Sequence, residues 1–430
     1  MFNKIKFKVL FLFSVFLIVS CTKTYDPLTG KKVYTLLPPE KEIQLGEMYV
    51  PLAINQNNGQ YPDKEVRDYI SKVGFRIAKV VPRRLPYRFF IVNSGEVNAF
   101  ALPGGPVFVN RGLLLVLNNE SELAGVLGHE LGHINARHHA RFLEKQYGIA
   151  ILLNILNIAL AGKDYGTLLM DISKIGAQLL TLHYSREQET EADILGVRFS
   201  YKAGYDPRGL LETFYIFKKL GKPNAPEWLL THPLPDTRIK NVKKILSKYD
   251  LNKPLIKDSP EFHRIKNKIL KTKPSYEFLK KAVKAYDQKD LKNALRYLNQ
   301  SIQIFPINNA SLTVRAIIYA DLKEYRKSIK DAEKAVQIDD LYFMPQLILG
   351  YDYLKIKNFI KSIKILENAK KLIPSFPDTY YFLGLDYEAI REYKKAIQNY
   401  RTALQLTDGK RGWEQDAERR LLRLQRLLGY

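Results

Sequence analysis

A single cysteine, Cys21, stands in 430 residues, so no intrachain disulfide can form and no cysteine-rich scaffold is available. Acidic residues are also in the minority, 44 Asp+Glu against 68 Lys+Arg, for a formal net charge of +24. That excess is not gathered in one place. Residues 275–430 hold 28 Lys+Arg and 19 Asp+Glu, a net +9, and residues 1–274 hold the remaining +15. A nucleic-acid site needs clustered charge, so an even spread argues against nucleic acid and for a basic, solvated surface suited to anionic membranes or acidic partners. Long apolar runs are missing from the interior as well. The longest, Ile149–Ala161, contains Asn154 and Asn157 and is short for spanning a bilayer; it reads as a core or lid helix. What remains, 46% hydrophobic and 26% charged, is a composition that folds, at a length that suits two or three domains of about 150 residues.

The one long-range signal at the start is an address. Lys4, Lys6 and Lys8 precede an apolar run from Val9 to Val19, and Ile18-Val19-Ser20-Cys21 closes it. A basic segment followed by a short apolar one is a secretory signal, here residues 1–20. The closing tetrad resembles a bacterial lipobox, which implies that Cys21 receives the lipid. Thr22 follows instead of the Asp that would resemble an inner-membrane retention signal, so an outer-membrane anchor facing the periplasm is favoured.

The C-terminal third repeats every 34 residues: Ala282, Ala316, Gly350 and Gly384 share one register, Ala294, Ser328, Ser362 and Ala396 a second, and Ser301, Ala335, Ala369 and Ala403 a third. Larger residues keep the phase at Leu291, Tyr325, Phe359 and Tyr393. This resembles the tetratricopeptide repeat, with four copies over residues 275–410, in which small residues let paired helices approach and stacking buries what one repeat alone cannot. Residues 411–430 read as a basic amphipathic capping helix. Such a solenoid supplies recognition and no chemistry of its own.

Chemistry is concentrated in the middle. His129-Glu130-Leu131-Gly132-His133 is an H-E-x-x-H pattern. Asn119 and Glu122 have capping-box spacing, and the apolar positions from Leu123 to Ile134 predict a helix continuing to about Ala140. Two histidines one turn apart share a face, so both imidazoles reach one metal ion. Zinc suits two nitrogens plus a carboxylate with an open position for water, and Glu130 beside them is placed to take that water's proton. Two candidates compete for third ligand. His139 follows His133 at metzincin spacing, but an uninterrupted helix would put it about 80° round from His129 and 120° from His133, off the metal-facing side.

The other candidate is carried by Ser185-Arg186-Glu187-Gln188-Glu189-Thr190-Glu191-Ala192-Asp193. Together with the first motif, this segment resembles the M48 family of zinc metallopeptidases. The resemblance implies Glu189 as third ligand and Asp193 as the residue orienting a ligand imidazole, with Glu191 as the alternative ligand. It also implies a strand pair with a Pro/Gly turn over residues 98–109, whose Asn98, Ala99 and Phe100 offer an edge to extended substrate. Thr231-His232-Pro233 with Arg238 resembles the loop that follows in soluble members. Arg238 or His232 would then stabilise a developing oxyanion, or His232 would occupy the open metal position and close the site.

The expected architecture is therefore α+β and mostly helical: signal 1–20, a zincin-like domain with a small sheet over 21–249, a linker at 250–274 rich in Pro and Lys, repeats 275–410 and a cap. The expected function is a zinc endopeptidase of the bacterial envelope, held to the membrane by a lipid. It would act on unfolded or misassembled envelope proteins, with the outer-membrane assembly machinery as a partner of the repeats. The rival is a non-proteolytic chaperone or assembly scaffold with a closed or structural metal site.

Overall fold

The computed structural model describes residues 22–161, 166–220 and 226–429. Residues 1–20, read above as a signal, and Cys21 lie outside the described residues. Thr22–Tyr25 (β1) and Lys32–Thr35 (β2) pair antiparallel, with Lys23 opposite Tyr34 and Tyr25 opposite Lys32. Arg88–Val92 (β3), Ala99–Ala101 (β4) and Pro106–Asn110 (β5) form a second sheet in the order β3-β5-β4. The central β5 is buried along its length, parallel to β3 and antiparallel to β4. The turn between β4 and β5 uses Gly104 at φ 79° and Gly105 at φ 142°, backbone that a side chain would strain. β3 escapes a sequence reading because Phe89–Val92 does not alternate; it is an apolar run, buried on both faces.

Helices Pro39–Gln56 (α1), Lys64–Ala78 (α2) and Arg111–Val116 (α3) lead to Glu120–Asn135 (α4), which carries the first motif. Asn119 caps α4 by accepting from the Glu122 amide, and every residue of the helix is buried. The expected continuation to Ala140 does not occur. Arg137 takes φ 60°, ending α4, and a new helix, His138–Ala161 (α5), starts at once and breaks again at Gly148. A non-glycine residue holds this backbone because its guanidinium is tied down: Arg137 Nη2 donates to Thr35 Oγ1 at 2.7 Å and to the Leu37 carbonyl at 2.8 Å, beside Glu42 and Glu144.

Gly166–Leu180 (α6), Arg186–Lys202 (α7), Arg208–Leu220 (α8), Trp228–Thr231 (α9) and Asp236–Leu246 (α10) complete the first body. α4 and α7 cross almost backbone to backbone. A Cβ on Gly128 would lie 2.9 Å from the Gly196 carbonyl oxygen, one on Gly132 2.8 Å from that of Ala192, and one on Gly196 2.9 Å from the His129 amide nitrogen. Only residues without side chains permit this approach, and it carries the acidic residues of α7 within reach of the α4 histidines.

The segment read as a linker differs from expectation. Ser259 accepts from the Phe262 amide and Pro260 takes the first turn of Pro260–Asp287 (α11), which runs through Pro274 into the first repeat. Proline at that position starts a helix instead of ending it, and Phe262, Ile265 and Ile269 recur at helical spacing on the buried side. The repeats follow as helix pairs: α11 with Leu291–Ile304 (α12), Asn309–Asp321 (α13) with Tyr325–Ile338 (α14), Phe343–Lys355 (α15) with Phe359–Leu372 (α16), and Pro377–Ala389 (α17) with Tyr393–Leu406 (α18). Glu414–Leu428 (α19) closes the stack.

The solenoid is built onto the first body. One apolar cluster joins Leu45 and Tyr49 of α1 to Tyr380, Tyr400 and Trp413. Polar contacts flank it: Asp339 accepts from the Gln60 amide and side chain, each at 2.7 Å, and Asn93 bonds Asn309 at 2.8 Å and Tyr276 at 2.6 Å.

Candidate metal centre

α4 and α7 bring His129, His133 and Glu189 together, and the loop after α9 adds His232. One ligand-type atom from each of the four lies within 4.8 Å of the others, and all four residues are buried. His129 Nε2 and His133 Nε2 face each other at 3.0 Å, with Glu189 oxygens 3.7 and 3.5 Å from them. Burial drives both imidazoles below their ordinary pKa, His133 well below, so their lone pairs are free for a cation. The same burial holds Glu189 well above the ordinary carboxylate range despite the opposing charge of Arg238.

The donor set fits a divalent cation. Glu189 Oε1 and His232 Nε2 are buried without a hydrogen-bond partner, while Glu189 Oε2 is paired with Arg238 Nη1 at 2.5 Å. Two imidazole nitrogens and a carboxylate converging in one buried site are the donor types such an ion takes.

Around this set lies a layer of positioning contacts. Asp193 Oδ1 is 3.0 Å from His129 Nδ1, which turns the other nitrogen inward. Burial pushes the Asp193 carboxyl up, but Arg238 and His129 outweigh it and hold it below the usual range. Arg238, expected at an oxyanion, is 2% exposed, and its Nε and Nη2 donate to Asp193 at 2.9 and 2.8 Å while Nη1 donates to the Pro233 carbonyl at 2.8 Å. The carboxylate pair of α7 captures this guanidinium and makes it a clamp on the centre.

Glu130 lies beside the cluster, fully buried. Trp228 Nε1 donates to its Oε1 at 3.3 Å, and desolvation raises its carboxyl to about 8. The Trp228 ring stacks on His232 at 4.5 Å between centroids.

Tyr184 and Trp228 escaped the sequence reading, whereas His138 is a residue that sequence alone leaves as either solvated or lying behind a ligand. His133 Nδ1 meets His138 Nδ1 at 2.8 Å, and His138 Nε2 meets Glu191 at 3.1 Å. Glu191 thus reaches the centre through a histidine chain instead of as a ligand. Tyr184 places its ring 3.8 Å from that of His133 and bonds His139 Nε2 at 2.6 Å, which directs His139 away from the cluster. Trp228, one of two tryptophans, lies four residues before His232; that spacing was the available signal.

The expected substrate edge is a real edge: β4 borders the sheet on one side only and packs against α4. Ala99 and Asn98 are buried, and Phe100 stacks on Phe108 at 4.8 Å. Burial at Ala99 and Asn98 takes in main chain as well as side chain.

Residues 62–246 match peptidase family M48, and residues 310–340 and 377–408 match the tetratricopeptide repeat. The chain is 32% identical over 230 residues to the beta-barrel assembly-enhancing protease of Yersinia pestis, covering 50% of this chain and 46% of that protein. It is 29% identical over 257 residues to the protein of the same name in Escherichia coli K12, 57% and 51% respectively. To the mitochondrial metalloendopeptidase OMA1 of Arabidopsis thaliana it is 36% identical over 157 residues, 36% and 31%. The chain spans about half the length of the first two.

Proposed function

We propose, for a chain that carries a peptidase family M48 domain over residues 62–246 joined to tetratricopeptide repeats, that it is a zinc endopeptidase of the bacterial envelope. In this reading Cys21 anchors it by lipid, and the repeats recruit unfolded or misassembled envelope proteins. The observation that carries the enzymatic part is the convergence of His129, His133 and Glu189 in one buried cluster, with a carboxyl at Glu130 alongside. The names of the bacterial relatives support the envelope setting.

A bound zinc ion would polarise the scissile carbonyl and acidify a water. His129, His133 and Glu189 would hold it. Glu130 would take a proton from water as its oxygen bonds the scissile carbonyl carbon and return it to the amine nitrogen as the C–N bond breaks, its own oxygen kept in position by Trp228. Asp193 fixes the tautomer of His129, and Arg238 fixes Asp193. The rim of β4 at Asn98, Ala99 and Phe100 would align an extended substrate by main-chain hydrogen bonds.

A second reading concerns state. His232 Nε2 has no hydrogen-bond partner, lies 3.8 Å from Glu130 Oε1 and converges with the other three ligand-type atoms, so that it would serve as a fourth ligand to an ion held there. The arrangement described is then a closed one, opened by displacement of the loop after α9.

Glu130→Gln tests the enzymatic reading. It is expected to retain stoichiometric zinc and to lose cleavage of an unfolded reporter protein; unchanged cleavage would favour the scaffold alternative.

A further inference from the structure

The hairpin β1–β2 has two unlike faces. Thr24 and Thr35 point inward and are buried, Thr35 held by Arg137 and Glu144. The pairing register puts Lys23, Tyr25, Lys32 and Tyr34 together on the other face, each Lys opposite a Tyr. Tyr25 and Tyr34 are 57% and 69% exposed, more than any other described tyrosine. Lys31 adjoins them at the turn. The hairpin's one acid, Asp26, is folded back into that turn, accepting from the amides of Leu28 and Thr29 at 3.0 and 2.7 Å. Outward, the hairpin is therefore cationic and aromatic with no opposing charge.

We propose that this face, Lys23, Tyr25, Lys32 and Tyr34, rests on an anionic phospholipid surface. Tyrosine rings suit the headgroup level, where one end is apolar and the other wet, and lysines beside them meet lipid phosphates. Thr22 follows Cys21 directly, so a lipid on Cys21 would deliver this face to a bilayer. In that respect the inference rests on the anchoring reading above. A protein partner is disfavoured by size, because four side chains fall far short of the roughly 800 Å² per side of a stable interface. A bilayer needs no matching contour.

The test uses the chain from residue 21 onward with Cys21→Ser, so that no lipid is attached, and vesicles of phosphatidylethanolamine and phosphatidylglycerol. Co-sedimentation is expected with these vesicles and not with phosphatidylcholine alone. Replacing Lys23, Lys31 and Lys32 by Gln should weaken partitioning about a hundredfold, near fivefold for each charge. The same number of changes on the solenoid, at Lys330, Lys334 and Lys364, should leave it within about twofold of the parent. Tyr34→Trp gives an independent readout: relative to the parent chain, the added fluorescence should shift to the blue on vesicle binding and be quenched by brominated lipid. Equal binding by the hairpin variant, an equal loss in the solenoid control, or unshifted emission from the Tyr34→Trp protein would each overturn the proposal. Acylation of Cys21 is measured separately, by palmitate labelling, and its absence would remove the anchor without changing the vesicle result.

Discussion

Glu189 and Glu191 stand two residues apart on α7 and meet different neighbours, the first facing two imidazoles and the second meeting His138 and Arg141. Their substitutions should separate accordingly. Glu189→Ala is expected to abolish stoichiometric zinc, measured by elemental analysis after repletion. Glu191→Ala and His138→Ala should keep one ion but bind it some 10–100-fold more weakly in chelator competition, the usual cost of losing an outer hydrogen bond to a ligand imidazole. Arg238→Ala should be more damaging than either, because it strands two buried carboxylates; a loss of about 3–5 kcal/mol in denaturant unfolding of the metal-free protein is expected. The first motif was legible in the sequence because it lies within one helix, where spacing fixes direction, whereas the roles of Glu189 and Asp193 came from the family resemblance. The His133–His138–Glu191 chain was not legible, since it exists only because Arg137 turns the backbone between α4 and α5. That turn depends on Thr35, Leu37 and Glu42, residues distant in sequence, besides the nearby Glu144.

Among elements, the α4–α7 crossing does the most to shape the centre. Gly196→Val would drive a branched side chain into the His129 backbone. Overpacking of that kind costs about 1–3 kcal/mol, and the forced separation should lower zinc affinity as well, both readable on one purified variant. The repeats contribute a different sensitivity. Asp352 and Asp386, 34 residues apart, are fully buried against Ser328 and Ser362 of the preceding repeat, and desolvation raises each carboxyl from 3.8 to about 7. A raised folded-state pKa stabilises below the ordinary carboxylate range, and that contribution is lost as pH climbs through about 7. Between about pH 5.5 and 7.5 the solenoid should lose roughly 1–2 kcal/mol per carboxylate. Asp352→Asn should flatten part of that slope in thermal melts. The repeats themselves were legible because their period is written in the chain, down to Lys289, Lys323, Lys357 and Arg391, which all turn at φ 60–64°. The helix over 260–274 was not, because its prolines and lysines carry the composition of a linker while its apolar residues keep helical spacing.

At the scale of the molecule, the seam between body and solenoid is a shared core. Truncation before α11 would uncover Tyr49, Leu45 and the rest of that cluster. Such a fragment is expected to aggregate or to lose protease resistance, whereas two domains on a tether would survive separation. Asp339→Ala is the milder probe. It removes both bonds to Gln60 and should speed limited proteolysis at the joint while leaving zinc content unchanged. Sequence patterning assigned both halves their fold class but said nothing of their union, since Asn55, Gln60 and Asn93 carry no periodic signal and find partners only in three dimensions.

The shared core also gives the molecule a fixed gauge. Wherever a client is gripped along the stacked helices, the distance from that grip to Glu130 is set by the framework and does not wander. Cut positions would then be counted from the point of capture more than chosen by local sequence. A series of reporters differing only in spacer length should show a single favoured interval, and loosening the seam with Asp339→Ala should broaden it.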